Sequence, residues 1–162
     1  MTGYLNMSEN MIFFSEEYCE YLNQKTIIIK DTKNKYPKVE FTSKSKANIV
    51  ARKYRIEDGV LNSAGGKQCD WFLFCLNNIS GYLIELKGSD LDEACKQMTE
   101  TIDRLKVINQ TFLKYRLNGL IVLNRINSHQ IGSLHEKRLR SKLKQYQGEL
   151  KRESKVLKII IT

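Results

Sequence analysis

Two carboxylates and a lysine stand out in the stretch Cys69–Asp90, "CDWFLFCLNNISGYLIELKGSD". Asp70 opens one apolar segment, and Glu85 and Lys87 close the next. Charged side chains inside a sheet need partners. Residues two apart on a strand share a face, so Glu85 and Lys87 project together while Ile84 and Leu86 point the other way. A hairpin turning about Asn78–Ile79 places Asp70 opposite Lys87 and Phe72 opposite Glu85. Asp70 then joins the face of Glu85 and Lys87. Two converging carboxylates form a hard-oxygen site suited to Mg or Mn, and magnesium in particular takes few protein ligands. A metal held there lowers the pKa of water and offsets charge on a phosphoryl oxygen. A neighbouring lysine can position the attacking water or neutralise developing charge. The plain alternative is a surface ion pair between Asp70 and Lys87.

The elements around this trio must hold it in register. "DGVLNSAGGKQ" reads as a flexible approach loop before Asp70. A long helix is expected after Lys87, with Ser89 as N-cap and Asp92 completing a capping box. Its apolar face runs through Leu91, Ala94, Cys95, Met98, Ile102 and Leu105. Leu120–Leu123 reads as a strand buried on both faces. A second helix is expected over Ser133–Leu150, with Leu139, Leu143, Tyr146 and Leu150 in register, and "KVLKIIIT" reads as a final strand. Upstream, "SENMIFFSEEYCEYLNQ" has helical spacing through Ile12, Tyr18 and Leu22. Thr26–Lys30, Lys38–Ser43 and Asn48–Glu57 read as strands. The expected fold class is α/β, a central mixed β-sheet flanked by α-helices, in a single domain over residues 1–162.

Lysine and arginine outnumber aspartate and glutamate 27 to 18, a formal net charge of +9. That excess favours a polyanion, nucleic acid before an anionic membrane surface, though solubility alone would also account for it. The four cysteines show no paired spacing and read as thiols, not as a zinc site or disulfide framework. No stretch has the length of a membrane span, and the N-terminus does not read as a signal peptide. The expectation is therefore a cytoplasmic protein with no membrane partner.

Asp70, a hairpin-length gap and Glu85-Leu86-Lys87 together resemble the PD-(D/E)XK nuclease superfamily, the restriction-endonuclease-like fold. The resemblance covers about Lys67 to Gln97. It implies that Asp70, Glu85 and the Leu86 carbonyl bind the metal, and that Lys87 is the catalytic lysine. Gln97, on the following helix, corresponds to a glutamine that supports the site or substrate. The chain departs from the pattern at Cys69, where proline often stands, and at Thr101, where some exonuclease-like members have tyrosine. Many members place an acid on the first helix, for which Glu16, Glu17 and Glu20 are all candidates.

The function implied is a metal-dependent nuclease that leaves a 5′-phosphate, with DNA favoured over RNA. Sequence specificity would need inserted loops, a homodimer or another protein. Arg52, Lys53, Arg55 and Lys67 are candidates for nucleic-acid binding near the site. Lys137, Arg138, Lys142 and Lys144 could follow a backbone or simply be solvated. His129 and His135 read as surface residues, and Tyr54 and Trp71 as packing residues. Two alternatives stay open: a non-catalytic nucleic-acid-binding module of the same fold, and a basic α/β interaction protein.

Overall fold

The computed structural model describes residues 11–31, 35–62 and 65–162. Its chain order is β1 (Cys19–Gln24), β2 (Thr26–Lys30), β3 (Lys38–Ser43), β4 (Ile49–Arg55), β5 (Trp71–Cys75), β6 (Ser80–Lys87), α1 (Leu91–Ile108), β7 (Arg116–Leu123), α2 (Leu134–Gln145), β8 (Leu150–Ser154) and β9 (Val156–Ile161). The larger sheet runs β1-β4-β5-β6-β7-β8, and a smaller one runs β2-β3-β9. Strands β1, β4, β5 and β6 are antiparallel to their neighbours. From β6 onward the pairing is parallel. The architecture is thus mixed α/β. Among the described residues, no helix is long and apolar enough to cross a membrane.

Alternation along the strands produces two cores. Tyr54, Phe72, Phe74, Leu83 and Ile121 face one side and pack with Leu91, Met98, Ile102 and Leu105 of α1. Ala51, Leu73, Ile84, Leu120 and Val122 face the other and pack with Ile27, Val39, Phe41 and Ile159 of the small sheet. Burial of the large sheet on both faces explains the uninterrupted apolar run in β7.

The hairpin register differs from expectation. Trp71 pairs with Ile84 and Cys75 with Ser80, so Asp70 comes level with Glu85 and not with Lys87. The turn occupies the four residues between Cys75 and Ser80, with Ile79 at φ 50°. Asn77 pins it to β4 by accepting from the Val50 N–H at 2.8 Å and donating to the Asn48 carbonyl at 3.1 Å. The displacement is an even number of residues, so every side chain keeps its expected face.

Three boundaries also differ. Asp90, not Ser89, caps α1, its carboxylate accepting from the Glu93 N–H at 3.0 Å. A charged acceptor there also complements the helix dipole. The second helix stops at Gln145, and Leu150 begins β8. Gln147, at φ 60°, and Gly148 turn the chain tightly against β7. Finally, the segment expected as an N-terminal helix forms a single 3-10 turn, Glu16–Tyr18, and the edge strand β1. Positions 8–10 of that segment lie outside the described residues. Phe13 and Phe14 are buried against Phe72, which draws this chain into an extended path across the core.

A Cβ at Gly148 would lie 1.6 Å from the Leu117 carbonyl oxygen. That backbone atom belongs to β7 and cannot yield cheaply. Gly148→Ala should destabilise the protein by at least about 2 kcal/mol. Thermal unfolding should then fall by roughly 4–8 °C, and an unchanged Tm would contradict this close crossing.

Candidate metal and catalytic centre

Beyond Trp71 the chain leaves the β5 ladder, and Asp70 sits at the departure point. Its N–H donates to the Ile84 carbonyl at 3.1 Å, and its own carbonyl accepts from the Ile56 N–H at 3.0 Å. Its carboxylate Oδ2 accepts from the Leu86 N–H at 2.8 Å. A side chain thereby continues the pairing of β6 where the neighbouring backbone has turned away. This bond also carries the Asp70 carboxylate to the end of β6, where Glu85 and Lys87 stand.

Glu85 is only 4% exposed, and its Oε2 is buried without a hydrogen-bond partner. Its Oε1 lies 3.8 Å from Lys87 Nζ. That is an ionic contact, too long for a hydrogen bond, and among the described residues the buried Lys87 ammonium has no hydrogen-bonding partner. Gln97, on α1, donates through Nε2 to the Gln68 carbonyl at 3.4 Å, while its Oε1 is also buried and unpaired. Two acceptor oxygens and one ammonium are therefore left open where the hairpin meets α1. Buried polar groups are nearly always satisfied.

Burial pushes the Asp70 carboxyl up from 3.8 to about 6, against the lowering effect of the Leu86 amide; Glu57 raises it and Lys87 lowers it. Glu85 is raised much further, first by burial and then by the Asp70 charge, with Lys87 opposing. Two buried carboxylates in electrostatic contact cannot both ionise easily. Cys69, fully buried beside them, has its thiol raised by desolvation and by Glu85, Asp70 and Glu57. It is consequently an inert thiol. All four cysteines are free.

Helix α1 fixes the approach to this centre. Gln97, Thr101 and Arg104 lie on one helical face. Gln97 holds the Gln68 carbonyl, Thr101 Oγ1 accepts from the Cys69 N–H at 3.0 Å, and Arg104 donates to the Gly65 carbonyl at 2.6 Å. Gly66, at φ +84°, passes under the Arg104 guanidinium. The glycine-rich approach is thus strapped to the helix over positions 65–69; positions 63 and 64 lie outside the described residues. Thr101, seen in the sequence only as a departure from tyrosine, is a positioning residue.

The other candidates are dispersed. Arg52 lies over the Tyr21 ring at 5.8 Å, on the sheet face opposite Lys53 and Arg55. Lys53 is paired with Glu20 at 2.6 Å and sits 4.9 Å from the Trp71 ring centre. Arg55 is exposed at the end of β4, and Lys67 is exposed in the approach loop. Glu20 is committed to Lys53, and Glu16 and Glu17 belong to the 3-10 turn. Glu57 instead supplies a further negative charge felt by both Asp70 and Glu85. It follows β4 in an irregular turn, and nothing in its local pattern announced it. His129 is exposed, and His135 lies 3.8 Å from Asp92. Lys142 is engaged by Asp103.

Among the described residues, no three His, Cys, Asp or Glu side chains form a ready ligand set. Asp70 and Glu85 nevertheless offer carboxylate oxygens, and the open Gln97 Oε1 adds an amide acceptor. This donor chemistry fits a hard divalent cation. Comparison of the chain with family models, curated proteins and solved structures finds no match.

The raised carboxyls have a consequence for stability. Well below their ordinary values of 3.8 and 4.5 both are protonated in the folded and unfolded chain. As pH rises through their folded pKa values, from about 6 for Asp70 upward, the folded state holds protons the unfolded state has released. Stability is therefore lost with rising pH. Glu85→Gln should flatten this decline in denaturant titrations between pH 5 and 9, to be measured without divalent cations. A variant with the wild-type slope would show that Glu85 ionises freely in the fold.

Proposed function

We propose that this protein is a divalent-metal-dependent nuclease with a restriction-endonuclease-like fold, acting on nucleic acid, DNA in preference to RNA. The carrying observation is the buried, unpaired Glu85 Oε2 and Lys87 Nζ at the strand end joined to Asp70. A structural ion pair would satisfy its members, whereas a centre built for a cation and a water leaves valences open. The mixed sheet, with both helices on one face and the small sheet in place of helices on the other, and the acid–gap–E-x-K order across β5 and β6 further support the reading.

In this reading Asp70, Glu85 and the Leu86 carbonyl hold Mg or Mn. When bound, the metal supplies a water of lowered pKa and offsets charge on the phosphoryl oxygen. Lys87 orients that water or stabilises the charge that develops on the phosphorus oxygens. Gln97 braces the Gln68 carbonyl, next to Cys69 and Asp70 in the chain. The surplus of cations across the chain draws the polyanion in.

The test compares cleavage of plasmid and single-stranded DNA in magnesium or manganese. Lys87→Ala should lower the rate about 10²–10⁴-fold, the usual worth of a positioned proton-transfer or electrostatic group. Asp70→Asn and Glu85→Gln should abolish cutting and weaken manganese binding in calorimetry. Binding of DNA by the wild type without any cleavage would identify the non-catalytic module instead. The absence of both manganese and DNA binding would leave the basic interaction protein.

A further inference from the structure

A groove of about 270 Å³ opens beside Asp70, lined by Lys30, Asp31, Asp70, Trp71 and Leu86. Its walls come from both sheets: Lys30 closes β2 of the small sheet, and Trp71 and Leu86 lie on the facing side of the large one. The groove lies at the rim where the two sheets meet, with Lys30 at the exposed end of β2. Its volume lies just below the roughly 300–1,000 Å³ of pockets for drug-sized ligands. The lining is mixed. An all-cationic groove would suit a bare phosphate, whereas an indole, an aliphatic side chain, one cation and acceptor oxygens suit a flat base with its sugar.

We propose that this slot seats one unpaired nucleotide of the substrate strand, with its base against Trp71 and its phosphate between Lys30 and the Asp70 end of the groove. The assignment rests on the nuclease reading for the role of Asp70 and adds the substrate class: a single strand or an unpaired end. Trp71 is half-buried at the first position of β5. Lys53, 4.9 Å from its ring centre and anchored by Glu20, holds the indole from the β4 side. A rigidly held aromatic face stacks any base without regard to sequence. A volume of about 270 Å³ holds about one nucleotide, so a duplex would have to present a frayed or flipped one.

Trp71 is the sole tryptophan, so its fluorescence reports the slot directly. The wild type in calcium is titrated with oligo(dT), with dTMP and with a blunt duplex of the same length, and anisotropy of labelled DNA is followed in parallel. Oligo(dT) should change the Trp71 emission, dTMP should compete with it, and the duplex should leave the emission unaltered. Trp71→Ala should weaken oligo(dT) binding by roughly 5- to 150-fold, the equivalent of one stacked base, while Trp71→Phe retains most of it. Oligo(dT) binding without an emission change, equal response to the duplex, or unchanged affinity in Trp71→Ala would each overturn the slot, as would no oligo(dT) binding at all. Plasmid cleavage in magnesium is scored on the same preparation. Cleavage without an emission change removes the slot and leaves the nuclease reading, and an emission change without cleavage does the reverse.

Discussion

The hydrogen bond from the Leu86 amide to the Asp70 carboxylate joins the fold to its chemistry. A charged acceptor of a backbone N–H is worth about 1.5–3 kcal/mol. It marks where β5 begins and how far β6 continues. It also commits one carboxylate oxygen to architecture and brings the rest of the group beside Glu85. Shifting the register by one residue would turn Glu85 and Lys87 toward the small sheet and dismantle both functions together.

That arrangement works against the stability of the folded chain. Burial raises both carboxyls, and the Asp70 charge raises Glu85 further. The fold supports this pair because everything around it is rigid: β6 is buried between β5 and β7, and α1 clasps positions 65–69 with Gln97, Thr101 and Arg104. Strain of this kind is retained where the surrounding structure over-determines the site. In the nuclease proposed above, a divalent cation beside the pair would ease the ionisation that burial opposes.

Much of the positioning was legible in residue spacing. The faces of β5 and β6, both helices, and the strands β2, β3, β4, β7 and β9 follow from periods of 2 and 3.6. The failures are equally physical. The length of the hairpin turn is set by the bonds of Asn77 to β4, which a linear pattern does not display. Leu150 continues the helical spacing of Leu139 and Leu143, and only the proximity of Gly148 to Leu117, a tertiary fact, ends the helix earlier. Strand β1 buries Leu22 alone among its six residues, so its edge position left no alternating signature. Glu57 and Thr101 act through contacts across the fold, which a linear pattern does not display.

The location of the centre follows from the meeting of two sheets. Lys30 pairs in register with Lys38, which abuts the start of β9, while Lys87 pairs with Leu123 and so leads to Ser154 at the end of β8. The ends of β2, β6, β7 and β8 and the starts of β3, β5 and β9 thus share one rim. Lys30, Lys38, Arg125 and Lys155 stand along it, around a core of carboxyls. A polyanion drawn by the surplus of +9 would meet repulsion at the acid pair and at Asp31 and Glu57 beside it. The same two groups that would recruit a cation would turn phosphate away in its absence. In the nuclease proposed above, occupancy by the ion and seating of the strand would be coupled through a single electrostatic balance.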